Sequence, residues 1–285
     1  MRHLPLAFAA ILAVAASAPA MSANDATIHY SILSNGENTK AFRADFDVIT
    51  KKVTNLDAED LKVLRAVRTM SPEEVAQNVI RGQYVSGWVE GHKLPSYRDE
   101  PEVRPDSETE TFVALKLEIG SWRWAGVPFY LRTGKGLPTR VTEVAVQFKS
   151  PPLALFERVG ATNPEPNILA VRIQPDEGIL LRFGAKVPGP GMQIRSVNMD
   201  FRYGYSFAVD SPDAYETLLL DAMVGDPSLF TRNDEVERAW GILDPIQSAW
   251  AGGAGGPLHF YGAGSWGPPA ADELLERSGR SWRRP

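Results

Sequence analysis

Alternating apolar and polar residues constrain this chain most, because the pattern recurs in five segments between residues 112 and 201. Such alternation buries one face of a β-strand and leaves the other in more polar surroundings. The gap between Ile173 and Ile179 is too short for the crossover helix that parallel strands need. The segments therefore predict a large, mainly antiparallel sheet with these apolar faces: Val113/Leu115/Leu117/Ile119, Val144/Val146/Phe148, Leu169/Val171/Ile173, Ile179/Leu181/Phe183 and Val197/Met199/Phe201.

Helical patterns flank this strand-rich region on both sides. Residues 57–68 have apolar side chains at helical spacing, and residues 71–74 form a capping box with proline at the first helical position. Two later helices are predicted to begin at Ser211 and Asn233, and Pro245 is expected to bend or interrupt the second. The fold class is therefore α+β, a large and mainly antiparallel sheet with helices packed on one side.

Three unequal parts make up the 285 residues. Residues 1–23 have a short basic start, an apolar run too short to span a bilayer and an Ala-x-Ala pattern ending at Ala20, as in a secretory signal peptide. A misassigned start or a gene fusion is the alternative. Residues 24–55 form a second, short unit, and residues 56–285 read as one continuous domain, with no membrane span expected after removal of the leader.

The short unit contains two β-prone runs, at residues 27–33 and 41–50, separated by a loop that includes Asn35-Gly36. Asn-Gly between such runs is typical of a β-hairpin. Two strands alone are marginally stable in water. We therefore expect this hairpin to depend on contacts with another part of the protein.

Composition and missing motifs exclude several functional classes. A net charge of −5 and a pI near 5.5 do not indicate the basic surface of a nucleic-acid-binding protein. The absence of cysteine excludes disulfides, thiolate metal sites and a cysteine nucleophile. The sequence has no glycine-rich dinucleotide turn, Walker loop, H-E-x-x-H pair or G-x-S-x-G elbow. Its four histidines, none in a recognisable catalytic context, are His3, His29, His92 and His259.

The most chemically suggestive stretch is residues 130–140, which precede a strong strand pattern. Arg132, Lys135 and Arg140 lie within nine residues and flank a Gly-Lys-Gly turn. Cations at a strand end can bind an anionic or hydroxyl-rich ligand. A basic hairpin turn that remains solvated is the alternative from spacing alone.

Seven short sequence motifs occur in a fixed order between about residue 57 and residue 285. Together they make the resemblance of this region to a known family specific. The words are Lys62-Val63-Leu64-Arg65-Ala66-Val67-Arg68, Val79-Ile80-Arg81-Gly82-Gln83-Tyr84, Thr109-Glu110-Thr111-Phe112-Val113-Ala114, Phe129-Tyr130-Leu131-Arg132-Thr133-Gly134-Lys135, Tyr215-Glu216-Thr217-Leu218-Leu219-Leu220-Asp221-Ala222-Met223, Leu229-Phe230-Thr231-Arg232 and Gly264-Ser265-Trp266-Gly267-Pro268. This region resembles the carboxy-terminal domain of bacterial glucose-6-phosphate dehydrogenase.

The resemblance implies oxidation of glucose 6-phosphate to 6-phosphogluconolactone with reduction of NADP, the entry step of the oxidative pentose phosphate pathway. It implies an α+β domain whose sheet commonly supplies the dimer contact, and hence a homo-oligomer. By the same resemblance Lys135 contacts the sugar phosphate. Arg140 stands where relatives have a second substrate-contacting cation, often lysine, so its hydrogen-bond geometry would differ.

The family's catalytic and cofactor-binding segments, which precede the region matched here, have no recognisable counterpart in this sequence. They are an amino-terminal Rossmann domain with its NADP turn, an Arg-x-x-His-Tyr-Leu-Gly-Lys-type segment, and a histidine base paired with aspartate. We therefore expect a family member that is truncated and catalytically incomplete, with no catalytic or cofactor-binding residue assigned. The alternative is a non-enzymatic dimerisation or sugar-phosphate-binding module. The leader favours export, whereas the family's metabolites favour the cytoplasm, and both locations remain open.

Overall fold

A nine-stranded sheet organises the computed structural model, which describes residues 26–33, 56–149, 165–190, 193–207 and 214–285. Its order is β10-β9-β8-β7-β1-β6-β5-β2-β11, and β3 pairs with β4 in a separate small hairpin. All pairs are antiparallel except β1 with β6 and β2 with β11, so the predicted mainly antiparallel sheet is confirmed. The strands are β1 Ala26–Leu33, β2 Val79–Val85, β3 Gly87–Val89, β4 His92–Leu94, β5 Phe112–Glu118, β6 Pro128–Gly134, β7 Val141–Phe148, β8 Ile168–Gln174, β9 Gly178–Lys186, β10 Ile194–Arg202 and β11 Leu258–Gly262.

The helices follow the predicted order along the described chain. They are α1 Leu56–Ala66, α2 Pro72–Asn78, α3 Tyr203–Phe207, α4 Ala214–Val224, α5 Asn233–Ala251 and α6 Pro269–Glu276. The capping box of α2 is present, because the Glu74 N–H donates to Ser71 Oγ and the Ser71 N–H donates to Glu74 Oε2. Helix α5 begins at Asn233 as predicted. It continues through Pro245 without interruption, since Ile242 and Ile246 on either side are both buried in the core. No helix among the described residues is long and apolar enough to cross a membrane.

Helices cover both faces of the sheet rather than one. Helices α1, α2 and α5 pack over the face that contains Val113, Leu115 and Leu117. On the opposite face Phe112 and Ala114 pack with α6 and the chain that follows it. The prediction of one buried and one more polar face is therefore wrong for β5, because a different group of elements buries each face. The apolar face predicted to be buried on β10, Val197/Met199/Phe201, is instead exposed.

Strand β1 lies in the middle of the sheet. It is parallel to β6 and antiparallel to β7, with Ile28 opposite Phe129 and Val146. Because β6 and β7 occupy both of its sides, β1 does not have the hairpin partner that the sequence predicted for it. The second predicted strand, at residues 41–50, and the predicted leader at residues 1–23 lie outside the described residues.

A buried ion cluster joins the carboxy-terminal tail to the sheet. Glu143 on β7 is 2% exposed, and its Oε1 accepts a hydrogen bond from Arg283 Nη1. Arg172 on β8 lies 3.8 Å from Glu143 Oε2. Burial raises the pKa of Glu143, while the charges of Arg283, Arg172 and Arg132 oppose that rise. The carboxylate therefore depends on its arginines to remain charged inside the protein.

Replacing Arg283 by methionine should destabilise the fold by about 3 kcal/mol near neutral pH, because it leaves a buried carboxylate without its closest cation. The loss of Arg283 raises the Glu143 pKa further. The loss of folding stability caused by the substitution is therefore absent below the ordinary carboxyl pKa, and it grows as the pH rises through the raised pKa of Glu143. Urea unfolding at several pH values measures this. Arg195→Met, on exposed β10, is the matched control, and equal effects of the two variants would contradict the role of the cluster.

Candidate functional site

The Gly134-Lys135-Gly136 turn lies directly after β6, where the chain leaves the sheet. The connection that it begins passes over the end of β1 and enters β7 after Arg140. The basic stretch is therefore not a hairpin turn, since β6 and β7 are not neighbours. Lys135 and Arg140 are both exposed, and neither side chain has a hydrogen bond or ion pair within the part of the chain that the structure describes.

Two backbone–backbone hydrogen bonds and one side-chain hydrogen bond to the backbone hold this turn. The Lys135 N–H donates to the Thr111 carbonyl over 2.8 Å, and the Gly264 N–H donates to the Gly136 carbonyl over 2.7 Å. The Tyr261 hydroxyl donates to the Lys135 carbonyl over 2.7 Å. Both backbone groups of Lys135 are thus paired while its side chain projects into solvent. A lysine on a fixed main chain loses little backbone entropy when it binds a ligand.

Tyr261 connects the turn to the core. Its side chain is 3% exposed, and its hydroxyl lies 3.1 Å from Thr111 Oγ1. Thr111 Oγ1 in turn accepts a hydrogen bond from the Tyr84 N–H. Burial raises the pKa of Tyr261 above its ordinary value, so the hydroxyl remains a neutral donor at physiological pH.

Both glycines of the turn are sterically required. A Cβ on Gly134 would lie 2.8 Å from Phe112 Cδ2. Gly136 has φ +61°, and a Cβ there would lie 3.1 Å from Leu94 Cδ2. The positive φ favours glycine over any other residue. The close packing explains why the sequence has Gly on both sides of Lys135.

Arg132, the third cation of the stretch, is buried and contacts the carboxy-terminal region. It is 2% exposed, and its guanidinium lies 4.9 Å from the Trp266 ring centre and 4.8 Å from that of Trp282. Its Nη2 donates to the Arg283 carbonyl over 2.9 Å. Burial lowers the Arg132 pKa to about 10, which leaves it charged at neutral pH. Arg132 therefore holds the tail by cation–π contact and does not face a ligand beside Lys135.

Sequence reasoning missed the groups that hold the turn. Tyr261 lies 126 residues from Lys135, and no spacing rule connects them. Thr111 and Gly264 belong to words that carried the family resemblance, but those words did not indicate their contacts. Only the pairing of β11 with β2, which brings Tyr261 beside Tyr84, supplies that information.

Comparison with known proteins identifies the family to which this domain belongs. A family model described as "Glucose-6-phosphate dehydrogenase, C-terminal domain" matches residues 48–283. The chain therefore belongs to the glucose-6-phosphate dehydrogenase family.

Related sequences cover most of this chain but only part of the relatives. A protein from Mycobacterium tuberculosis named "Glucose-6-phosphate 1-dehydrogenase 2" is 52% identical over 230 residues, which are 81% of this chain and 44% of the relative. A "Glucose-6-phosphate 1-dehydrogenase" from Aggregatibacter actinomycetemcomitans is 51% identical over 227 residues, with 80% and 45% covered. The chain thus spans less than half the length of these relatives.

Solved structures share the architecture. A crystal structure of "Glucose-6-phosphate 1-dehydrogenase from Mycobacterium avium" superposes with a TM-score of 0.72 at 30% identity, covering 100% of this chain and 63% of that chain. "Glucose-6-phosphate dehydrogenase in complex with its substrate glucose-6-phosphate" superposes with a TM-score of 0.74 at 26% identity, covering 98% and 62%.

The family uses NADP, but the described helix N-termini do not fit its pyrophosphate. Helix α2 has Glu73 and Glu74 in its first turn, and Ser71 caps its N-terminus. Helix α5 has Asp234 in its first turn, and Asp272 stands in the first turn of α6. A bound phosphate needs free N–H groups and no competing carboxylates. Among the described residues there is also no group of three or more metal-ligating side chains.

Removing the Tyr261 hydroxyl should loosen the turn without unfolding the protein. We expect Tyr261→Phe to lower the free energy of unfolding by about 1–3 kcal/mol, because the Lys135 carbonyl loses its buried partner. Amide exchange at Lys135 and Gly136 should become faster. Tyr84→Phe, which removes a hydroxyl bonded to Glu100, is the matched control and should leave exchange at the turn unchanged. Unchanged exchange at Lys135 in Tyr261→Phe would contradict the role of the Tyr261 hydroxyl in holding the turn.

Proposed function

We propose that this chain is the substrate-phosphate-binding and dimerising portion of a glucose-6-phosphate dehydrogenase. In this proposal Lys135 and Arg140 bind glucose 6-phosphate, and the chain alone does not oxidise it. The observation that carries the proposal is the position of Lys135, whose two backbone groups are both hydrogen-bonded and whose side chain is exposed.

The two cations stand at a separation suited to one small ligand. Lys135 follows β6 and Arg140 precedes β7, with one strand between them. Neighbouring strands lie about 4.8 Å apart, so β6 and β7 are separated by about 10 Å. Long lysine and arginine side chains rooted at that distance can converge on one hexose phosphate. The relative solved "in complex with its substrate glucose-6-phosphate" supports this class of ligand.

Lysine and arginine contribute differently to such a site. The ammonium group of Lys135 is a compact point charge, whereas the Arg140 guanidinium offers a planar fork that can bind a phosphate through two parallel hydrogen bonds. In this proposal Arg140 contacts the phosphate group, and Lys135 is within reach of the phosphate and the neighbouring sugar oxygens.

Hydride transfer needs a bound nicotinamide cofactor and a base that removes the hydroxyl proton. Of the histidines, the side chains of His92 and His259 are described, and neither forms a hydrogen bond to a carboxylate among the described residues.

Lys135→Ala should weaken the binding of glucose 6-phosphate by about 10- to 100-fold, since a charge-assisted hydrogen bond contributes about 1.5–3 kcal/mol. Titration calorimetry measures the affinity. Lys149→Ala is the matched control, because Lys149 is exposed and lies at the opposite end of β7 from Arg140.

Two results would contradict the proposal. One is equal affinity of the wild-type chain and Lys135→Ala for glucose 6-phosphate. The other is measurable NADP reduction by the purified chain with glucose 6-phosphate that Lys135→Ala abolishes, because this would show a complete active site.

The dimerising role is supported by an uncovered end of the sheet. Met199 on the terminal strand β10 is 62% exposed, and Val197 and Phe201 are also exposed. Helix α4 exposes Leu219 and Met223 as well. Contiguous exposed apolar residues on a soluble protein mark interaction surfaces. A second copy of this chain is the partner that the family resemblance implies.

Met199→Glu should raise the dissociation constant of the dimer at least tenfold, because it brings a charge into an apolar, self-complementary contact. Sedimentation equilibrium measures the constant. Trp122→Glu is the matched control, since Trp122 is an exposed aromatic residue distant in sequence from β10 and 98% exposed. A monomeric wild-type chain at all concentrations would contradict the dimer.

A further inference from the structure

Strand β1 joins two halves of the sheet. On one side stand β10, β9, β8 and β7, and on the other stand β6, β5, β2 and β11. All eight residues of β1 pair with β7, from Ala26 opposite Phe148 to Leu33 opposite Val141. Five of them, from Ile28 to Ile32, also pair with β6. Among the strands that the structure describes, β1 alone connects the two halves as one sheet.

The strands beside β1 are among the most buried in the protein. Residues 141–145 of β7 and residues 128–132 of β6 are all buried. An unpaired N–H or C=O group at such a position has no access to water and costs about as much as a lost hydrogen bond. The gap between β6 and β7 therefore requires an extended segment to fill it.

The segment that fills the gap lies outside the family match. The match begins at residue 48, whereas β1 ends at Leu33. Both flanking strands and the other strands of both halves lie inside the match. A part of the chain outside the sequence match thus completes a sheet whose other strands all lie inside that match.

We propose that β6 and β7 form an acceptor slot for an extended strand, and that Ala26–Leu33 occupies it as a separable, docked segment. The slot selects a strand of about eight residues that is parallel to β6 and antiparallel to β7. Binding is through main-chain hydrogen bonds on both sides, as in other cases of strand addition to a sheet.

The docked strand also sets the geometry of the cation pair. Because β1 stands between β6 and β7, the connection that contains Lys135 and Arg140 must span two strand spacings. This consequence rests on the proposed function, whereas the slot itself does not.

The test uses the full chain with a protease recognition sequence inserted between residues 34 and 55. The protein is folded first and then cleaved, so that β1 is no longer covalently joined to the sheet. We expect the amino-terminal fragment to co-elute with the remainder in equal amounts on native size exclusion. A labelled synthetic peptide of residues 24–35, added in excess, should replace it.

Two matched peptides define the specificity of the slot. The Tyr30→Val peptide retains every backbone N–H and should exchange as the wild-type peptide does. The Tyr30→Pro peptide loses one N–H in an interior strand and should exchange at least tenfold less. Because both are added to the cleaved wild-type protein, no variant chain has to fold.

Release of the fragment on cleavage, with the remainder still eluting as a folded protein, would overturn the proposal. Equal exchange of the proline and valine peptides would also overturn it. These results are independent of glucose 6-phosphate, so failure of the slot and failure of the proposed ligand are separate outcomes.

Discussion

Backbone hydrogen bonding in the interior of the sheet is the constraint on which the rest of this structure depends. Strands β6 and β7 are buried on both faces, so every main-chain polar group that faces the space between them needs a protein partner. Strand β1 supplies those partners and unites four strands on each side. The same requirement acts at the Lys135 turn, where the Thr111 carbonyl and the Tyr261 hydroxyl pair with both backbone groups of Lys135 while its side chain remains exposed.

Much of the fold was accessible from local patterns. The capping box of α2 and the start of α5 at Asn233 are both properties of neighbouring residues, and the structure confirms each. The position of β1 was not accessible in this way. A period-two pattern predicts a strand but contains no information about which strands lie beside it, and β1 pairs with residues about 100 positions further along the chain.

The candidate site likewise has features that the sequence could indicate and features that it could not. The Gly-Lys-Gly turn was identifiable from the sequence because glycine on both sides of a lysine is typical of a turn. The structure gives the reason for these glycines, since a Cβ on Gly136 would contact Leu94. Arg132 has the same charge as Lys135 and lies three residues away, yet it is buried between two tryptophans of the carboxy-terminal region. A cluster of cations in a sequence thus combines residues that face solvent with residues that hold the core, and only burial separates them.

The ion pair of Glu143 with Arg283 has a consequence for the order of events during synthesis. Arg283 follows Glu143 by 140 residues, so a ribosome adding about 5–20 residues per second produces it roughly 7 to 28 s later. During that interval the emerging β7 contains a carboxylate whose closest cation does not yet exist. The final contacts of Glu143 therefore form only after synthesis of the tail, so the carboxy-terminal residues complete the centre of the sheet.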